Sequence, residues 1–558
     1  MFKAAKRFTI LFAALALGVA AFAAAGCAAE KGSGLAMKDV SSIQAYTDGT
    51  FYGTGLVEVK VTYKDGVNLS GVSAADYVLE DRGVVTPDFG QVPIKSVEVQ
   101  GQEVTLHTGS VFSPTEKNVF IYSGKDAEGI RERNSFGVYC TIGWYRDVNG
   151  VIHFNGEGYE KNETGLGFQA RPCLELKLRH SGEDASAAAC LADDKGAYKA
   201  DGLWQKTVDR QFASTLDEAI AQGKFISFAN AGIKVPSTSA AAKDKTADEF
   251  VRGYAYIPKD YDPAKGIVFT LQGLGISYWR MLDGTDNDGT GLMYDTATTS
   301  WAGKGAIVVN IHDRSRAGAK IGEYEKYYDF VKDDVNVMKY FIDTYKITGP
   351  IVLQGNSRGT WASALVIKAL AGQPYNPINQ QMGTPEPATT KLDKSVYNFT
   401  VTTYICNNGY FGHFYDESDW DAVAATGLRV WSFDGEQDTF DSFPNIGKYR
   451  TIMEKLKGKE WADENVRATG YTSEIFYPWG EVDHSVTRIN GWYFANAAYY
   501  GPDCSIDEGG NIVYATKLED GATYKLKGRG LAAENGRKDY EYKVYDDVFQ
   551  EWALKTAK

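Results

Sequence analysis

Apolar and polar residues alternate over the first part of the chain. Between residues 38 and 140 the alternation occurs in short runs that are separated by turn-forming sequences. A period of two predicts strands that bury one face, and short strands separated by turns are typical of an antiparallel sandwich. The runs that carry this pattern are residues 57–63, 97–100, 104–106 and 119–122. We therefore predict an all-β sandwich over residues 38–140.

Residues 141–245 carry a weaker pattern. They contain one alternating run at residues 173–178 and a short helical pattern at residues 215–221. This segment either extends the sandwich or supplies the first strands of the following domain, and the pattern does not distinguish the two.

From residue 246 to residue 558 apolar strands alternate with helical patterns. Before residue 351, the apolar residues of segment 331–345 recur every three or four positions, which predicts a helix with one apolar face. Such alternation predicts a mostly parallel sheet with helices on both faces, that is, an α/β domain. The predicted strands are residues 253–257, 267–271, 306–311, 351–354, 399–405, 428–433 and 472–477, and further helices are predicted at residues 361–371 and 544–555.

The amino-terminal 27 residues have the pattern of an export signal. Basic residues are followed by an uncharged apolar run, and Ala25-Gly26-Cys27 places a cysteine where a bacterial lipoprotein signal is cleaved and acylated. Ala24 stands where such signals usually carry leucine. We expect lipidation at Cys27 and an anchor at the bacterial cell surface or the periplasmic face of a membrane, with a retained transmembrane helix as the alternative.

Charge and cysteine content narrow the class of protein. The net charge is −13 and no long lysine or arginine cluster follows the first seven residues, which argues against a nucleic-acid partner. Six cysteines are present, so five remain once Cys27 is assigned to lipid. Bridges between Cys173 and Cys190 or between Cys140 and Cys173 are open alternatives. No Cys-x-x-Cys or His-x-x-x-His spacing occurs, and residues 283–289 match a calcium loop poorly, so no metal is expected.

A Gly-x-Ser-x-Gly sequence, Gly355 to Gly359, lies between a predicted strand and a predicted helix. At such a turn the serine is held at the carboxyl edge of the sheet, and the two glycines let strand and helix approach each other closely. The context predicts that Ser357 is a nucleophile, whereas the alternative is an ordinary glycine turn.

A serine nucleophile needs a base and a carboxylate that orients the base. Asp438 follows the predicted strand at residues 428–433 and is our predicted acid, with Asp434 and Asp441 as less favoured alternatives. Only His413 and His484 follow the serine, and His484 also follows the acid, so His484 is the predicted base. His312 is predicted to line a pocket or to be structural.

Acyl transfer also requires hydrogen-bond donors for the oxyanion. We predict that these are the backbone amides of Arg358 and of Leu274, the latter in the glycine-containing loop after residue 271. The insertion at residues 373–394 lies where a lid is often found. Four aromatic residues near the predicted catalytic elements either line a substrate pocket or pack in the core: Tyr278, Trp279, Trp361 and Trp479.

Together these residues resemble the α/β-hydrolase superfamily, and within it the secreted esterases related to polyhydroxybutyrate depolymerases and feruloyl esterases. Some of these carry an immunoglobulin-like domain in front, which is the type of sandwich that residues 38–140 suggest. The resemblance implies a serine carboxylesterase that acts on small or polymeric esters through an acyl-enzyme, without a cofactor. Gln272 and Thr360 depart from the usual histidine and glycine. The alternatives are a serine peptidase of prolyl-oligopeptidase type and a non-catalytic, polymer-binding surface lipoprotein.

Overall fold

The computed structural model describes parts of the chain between residues 34 and 556. The described residues are 34–50, 53–81, 91–92, 94–108, 132–133, 139–140, 144–146, 152–154, 174–178, 186–188, 191–192, 198–199, 202–205, 208–238, 250–271, 298, 300–312, 329–356, 358–376, 389–407, 409, 411–435, 443–471, 504–506, 512–514, 521–526, 540–543, 545 and 547–556. The predicted signal with Cys27, the predicted strand at residues 119–122, and Cys173 and Cys190 lie outside them. No helix of the described part is both long and apolar enough to cross a lipid bilayer.

The strands of the described residues are numbered in chain order. They are β1 (Val40–Thr50), β2 (Gly53–Tyr63), β3 (Tyr77–Asp81), β4 (Gln91–Val92), β5 (Ser96–Gln100), β6 (Glu103–His107), β7 (Glu132–Arg133), β8 (Tyr139–Cys140), β9 (Trp144–Arg146), β10 (Ile152–Phe154), β11 (Leu174–Leu178), β12 (Ser186–Ala188), β13 (Leu191–Ala192), β14 (Tyr198–Lys199), β15 (Val208–Asp209), β16 (Phe225–Ser227), β17 (Arg252–Tyr256), β18 (Ile267–Leu271), β19 (Ile307–His312), β20 (Ile351–Asn356), β21 (Thr403–Asn407), β22 (Arg429–Gly435), β23 (Val466–Tyr471), β24 (Cys504–Ile506), β25 (Ile512–Tyr514), β26 (Thr523–Leu526) and β27 (Tyr540–Lys543).

The α-helices are numbered in the same way. They are α1 (Leu216–Gln222), α2 (Phe330–Tyr345), α3 (Arg358–Leu370), α4 (Glu417–Ala425), α5 (Phe443–Lys457), α6 (Lys459–Asn465) and α7 (Phe549–Leu554). Short 3-10 helices occur at Met37–Asp39, Ala74–Asp76 and Pro263–Lys265.

Two mainly antiparallel sheets form the amino-terminal region. One has the order β15-β1-β2-β6-β5 and the other β12-β11-β3-β4. Ile43 and Val59 of the first sheet share one buried apolar core with Leu79 and Leu176 of the second, as expected when alternating residues face inwards. The predicted strands within residues 57–63, 97–100 and 104–106 are present as β2, β5 and β6, whereas the immunoglobulin-like type of the sandwich stays a prediction.

The segment that the sequence left open contributes strands to both parts. Strand β11 pairs antiparallel with β3 in the amino-terminal region. Strand β16 instead pairs antiparallel with β17 in the large sheet. The same segment therefore completes one sheet and begins the next.

The large sheet has eight strands in the order β16-β17-β19-β18-β20-β21-β22-β23. Strand β17 runs antiparallel to both of its neighbours, and the six strands from β19 to β23 are parallel to one another. The predicted α/β sheet is confirmed. Because the carboxyl ends of parallel strands meet at one edge, the loops after β18, β20, β22 and β23 all leave the sheet at the same edge.

Helices cover both faces of this sheet. The Tyr404 hydroxyl donates to the carbonyl oxygen of Thr360 in α3, at 3.1 Å. The neighbouring Thr403 hydroxyl donates to the carbonyl oxygen of Ala553 in α7, at 3.2 Å. Adjacent strand residues point to opposite faces, so α3 and α7 lie on opposite sides of the sheet.

The last strand does not coincide with the predicted one. Residues 472–477 lie outside the described residues, and the strand that pairs with β22 is β23, directly before them. A buried arginine within β23 explains why the sequence pattern did not reveal it. The Arg467 guanidinium lies over the rings of Trp431 and Trp552, and its Nη1 is 2.7 Å from a carboxylate oxygen of Asp547.

Candidate active site

The predicted elbow lies where a strand meets a helix with one residue between them. Strand β20 ends at Asn356 and α3 begins at Arg358, so Ser357 is the single residue between them. Ser357 itself lies outside the described residues. A Cβ atom on Gly355 would stand 2.6 Å from the carbonyl oxygen of Gly359 and 2.6 Å from Cα of Thr360. Strand and helix therefore approach each other so closely that only glycine fits at position 355.

Thr360 departs from the glycine that resembling sequences carry, and its surroundings account for this. The residue is fully buried, and a Cβ atom on Gly409 would collide with the Thr360 side chain. Gly409 follows β21, the neighbour of β20. The missing side chain at 409 makes room for the threonine at 360.

The predicted oxyanion loop begins next to the elbow. Leu271, the last residue of β18, is the register partner of Gly355 in β20. The chain after Leu271 therefore leaves the sheet beside the turn that carries Ser357. Leu274 lies outside the described residues, whereas the Arg358 backbone belongs to the first turn of α3.

The two candidate acids differ in their position relative to β22. Asp434 belongs to the strand and is fully buried, with the Ser432 hydroxyl donating to its Oδ2 at 3.2 Å. Asp438 and Asp441 follow the strand, which ends at Gly435, and both lie outside the described residues. The segment with Asp438 thus leaves the sheet two strands away from the elbow.

His484, the predicted base, follows β23 and lies outside the described residues. His312 is the last residue of β19, and the exposed His413 lies in a turn after β21.

A buried polar network lies beneath this edge of the sheet. Nδ2 of Asn310 donates to the hydroxyls of Thr270 and Thr298, at 2.8 and 3.0 Å. Nε1 of Trp301 donates to Oε1 of Gln354 at 2.7 Å. Thr270 directly precedes Leu271, and Gln354 lies three residues before Ser357. These bonds therefore fix the strand ends from which the oxyanion loop and the elbow begin.

Asn407, the last residue of β21, is a polar residue at this edge that the sequence analysis missed. Its side chain is 1% exposed, and neither Oδ1 nor Nδ2 has a hydrogen-bond partner within the described part of the chain. Its register partners are Asn356 and Phe433. A buried amide without partners costs roughly 1–3 kcal/mol of stability. The sequence signal was a pair of asparagines directly after the apolar run Tyr404 to Cys406.

The amino end of α2 carries a second group of buried polar residues. Asp333 accepts from the Ser237 hydroxyl at 2.6 Å and from the Thr238 backbone N–H at 2.8 Å. Burial is the main cause that raises the pKa of Asp333 to about 7, against the opposing effect of these bonds. Burial also raises the pKa of Asp329, which caps α2 and accepts from the Tyr375 hydroxyl at 2.9 Å.

Tyr375 also ties together the two ends of the predicted lid insertion. Its backbone N–H and carbonyl exchange hydrogen bonds of 2.8 and 2.9 Å with Thr390. Residues 377–388, between these ends, lie outside the described residues. The base of the insertion is thus attached to α2 through Asp329.

Trp361 is the predicted pocket residue that the structure describes. It is 3% exposed and stacks on Phe330, with ring centroids 5.3 Å apart. Its ring packs in the core between α2 and α3, which agrees with the core-packing alternative. Tyr278, Trp279 and Trp479 lie outside the described residues. Within the described part of the chain no three acidic, histidine or cysteine side chains are grouped as metal ligands.

A buried ion pair fixes α3 to α4. Nζ of Lys368 lies 2.6 Å from Oδ2 of Asp419, and the two side chains are 9% and 2% exposed. Oδ2 of Asp419 also accepts from the backbone N–H of Asp416. The helix that begins at the elbow is therefore held at its far end as well.

No protein-family model matches this chain, and no curated protein matches it. Among solved structures, a thermostable esterase is similar at 13% identity and a TM-score of 0.42, over 82% of this chain and 97% of that chain. A hyperthermophilic esterase from the archaeon Pyrobaculum calidifontis has 15% identity and a TM-score of 0.23, over 43% and 73%. A feruloyl esterase module from Clostridium thermocellum has 12% identity and a TM-score of 0.25, over 45% and 86%.

Because these identities and TM-scores are low, the fold is assigned from the sheet of this protein and not from the similar structures. Eight strands in this order, with the second strand antiparallel and a strand–turn–helix after the fifth, define the α/β-hydrolase fold. The expected α/β-hydrolase fold is therefore confirmed, whereas the immunoglobulin-like type of the amino-terminal sandwich stays a prediction.

Proposed function

We propose that this protein is a serine carboxylesterase that hydrolyses small or polymeric esters through an acyl-enzyme. Ser357 is the nucleophile, His484 the base and Asp438 the residue that orients the base. The backbone amides of Arg358 and Leu274 bind the oxyanion. The reaction needs no cofactor.

The observation that carries this proposal is the order in which the candidate residues follow the strands. Ser357 follows β20, Asp438 follows β22 and His484 follows β23, while Leu274 follows β18. These four strands are parallel, so all four segments leave the sheet at one edge. The contact between Gly355 and Gly359 further supports a tight elbow at position 357.

In the acylation step, Oγ of Ser357 bonds to the ester carbonyl carbon while the imidazole of His484 accepts the hydroxyl proton. The carbonyl oxygen becomes an oxyanion, and a donor of this kind contributes about 3 kcal/mol to its stabilisation in well-studied enzymes. The imidazolium then protonates the departing alcohol as the C–O bond breaks. Water, activated by the same imidazole, hydrolyses the acyl-enzyme and regenerates Ser357.

Covalent labelling tests the proposal directly. A fluorophosphonate probe should label the wild-type protein and should fail to label Ser357→Ala, because the probe bonds to an activated serine oxygen. Absence of labelling in folded wild-type protein would favour the polymer-binding alternative. Initial rates on nitrophenyl acyl esters and on aminoacyl amides then separate the esterase from the peptidase, since a strong preference for amides would contradict the esterase.

For the amino terminus we propose export and lipidation at Cys27, on the basis of its sequence pattern. Metabolic labelling with a fatty-acid analogue should mark the full chain and leave Cys27→Ser unmarked. Labelling of that variant at the wild-type level would contradict the lipid anchor.

A further inference from the structure

The unpartnered amide of Asn407 lies in the part of the sheet that a catalytic triad of the proposed kind has to cross. Strand β21 stands between β20, which leads into the elbow, and β22, which leads into the acid segment. Asn407 is its last residue, and its register partners are Asn356 on one side and Phe433 on the other.

Neighbouring strands are about 4.8 Å apart, so the ends of β20 and β22 are separated by about 10 Å. A histidine that connects the serine to the carboxylate needs hydrogen bonds of about 2.6–3.2 Å on both sides of its ring. A triad of the proposed kind would therefore place its imidazole and its carboxylate over the end of β21. Asn407 is the residue of β21 at that end.

The side chain of Asn407 can donate and accept hydrogen bonds that no described residue makes with it. It is 1% exposed, and both its donor and its acceptor lack partners there. By contrast, Asn310 and Asn465, which are also buried in or beside this sheet, have their side-chain groups bonded. Buried polar groups that lack partners are rare in native proteins, and a catalytic role is one of the explanations for them.

We propose that Asn407 is a positioning residue for the triad, an inference that rests on the proposed function. Its Nδ2–H group donates to the carboxylate oxygen that does not face the imidazole, and so holds the carboxylate in the plane that orients the ring. A carboxylate offers several acceptor positions, of which the imidazole uses one. Asn407 acts through the carboxylate and does not touch the reacting atoms.

The first test replaces the amide by an apolar group of similar shape, Asn407→Leu. We expect kcat to fall about 10- to 100-fold with KM changed less than about twofold, because a displaced catalytic group affects the chemical step. We also expect the melting temperature to stay level or rise, since an unsatisfied amide is removed. An unchanged kcat would overturn the proposal.

The matched control is Asn465→Ala. Asn465 is a buried asparagine directly before β23, at the opposite edge of the sheet, and its Oδ1 accepts from Nε of Arg429 at 2.7 Å. This variant should lower the melting temperature and leave kcat per folded molecule unchanged. If Asn407→Leu behaves in the same way, Asn407 is structural and the proposal is wrong.

The second test is Asn407→Asp, read out as the pH profile of kcat/KM. At this position an aspartate faces the triad carboxylate, and two adjacent carboxylates share one proton because they do not readily ionise together. While that proton is held, the aspartate can still donate to the triad carboxylate. Once it is lost the two charges repel, so kcat/KM should fall on the alkaline side at a pH where the wild type stays level. A variant profile with the same shape as that of the wild type would contradict the proposal. Should this variant fail to fold, Asn407→Ala must still lower kcat at constant KM.

Fluorophosphonate labelling of the wild type is measured in parallel. A labelled wild type with an unaffected Asn407→Leu refutes this inference alone, whereas an unlabelled wild type refutes the proposed function.

Discussion

Gly355 lies so close to Gly359 that a methyl group on the first residue would stand 2.6 Å from the carbonyl oxygen of the second. The strand that leads into the elbow and the helix that leaves it are therefore in backbone contact. This contact determines where the residue between them stands relative to the edge of the sheet.

We expect Gly355→Ala to displace α3 from β20 and to destabilise the protein by about 1–3 kcal/mol, as overpacking typically does. Esterase activity should fall further than the loss of folded protein explains, because the elbow moves with the helix. Thermal melts and rates at a temperature where the variant is folded check this. Gly447→Ala in α5 is the control: no heavy atom lies within 4 Å of its added methyl group, so stability should stay level or rise by about 0.5–1 kcal/mol.

The assignment of the acid is tested by Asp438→Asn and Asp434→Asn, each compared with the wild type in kcat/KM. Loss of the carboxylate that orients the base lowers kcat by about 10⁴-fold in a well-studied serine enzyme. We expect a loss of that order for Asp438→Asn. Asp434→Asn should mainly affect stability, because Asp434 is buried within β22 beside Ser432. The reverse ranking of the two variants would make Asp434 the acid.

The pH dependence of activity follows from the proposed base. A protonated imidazole cannot accept the proton of Ser357, so kcat/KM should fall as the pH drops through the pKa of His484. Rates on a neutral ester between pH 5 and 9 measure this on the scale set by a histidine pKa of about 6.5. A rate that stays level well below pH 6 would argue against a histidine base.

Asp333 should make stability depend on pH in the opposite direction to most carboxylates. Burial raises its pKa from 3.8 in the unfolded chain to about 7 in the folded protein, so only the folded state keeps the proton between these values. Its contribution to stability is therefore complete below about pH 4 and is lost as the pH rises towards 7, by at most about 1.4 kcal/mol per pH unit.

Asp333→Asn removes this titration and keeps an acceptor for the Thr238 N–H. The free energy of unfolding from urea titrations at several pH values between 4 and 8 should fall less steeply for the variant than for the wild type. Parallel curves would show that Asp333 is ionised in the folded protein throughout this range.

The ion pair between Lys368 and Asp419 should contribute to the stability of the elbow helix. Lys368→Met leaves a buried carboxylate without its cation, and such changes cost about 3–5 kcal/mol. The exposed pair Lys339–Asp343 in α2, with Nζ and Oδ2 2.6 Å apart, is the control, since exposed helix pairs are worth about 0.3–0.5 kcal/mol. Equal shifts of the urea midpoint in Lys368→Met and Lys339→Met would contradict a specific role of the buried pair.

Local sequence patterns determined much of the large sheet. Strand β18 has the predicted bounds, residues 267–271, and the ends of β19, β20 and β22 lie within two residues of the predicted ones. These strands are mainly apolar and are buried on both faces, so a short window of sequence is enough to recognise them. The elbow could also be predicted from local sequence, because the two glycines, the serine, the strand before them and the helix after them are contiguous in the chain.

Strand β23 and the role of Asn407 required the tertiary structure. β23 contains a buried arginine, Arg467, whose guanidinium contacts Trp431, Trp552 and Asp547, residues that are distant from it in sequence. Asn407 lies between the elbow and the acid segment because β21 stands between β20 and β22 in the sheet. No local sequence pattern specifies this order of strands. Periodicity and turn chemistry are properties of neighbouring residues, so the sequence determined the elements and the candidate nucleophile. Strand order and burial depend on long-range packing, and these decided which segments meet at one edge.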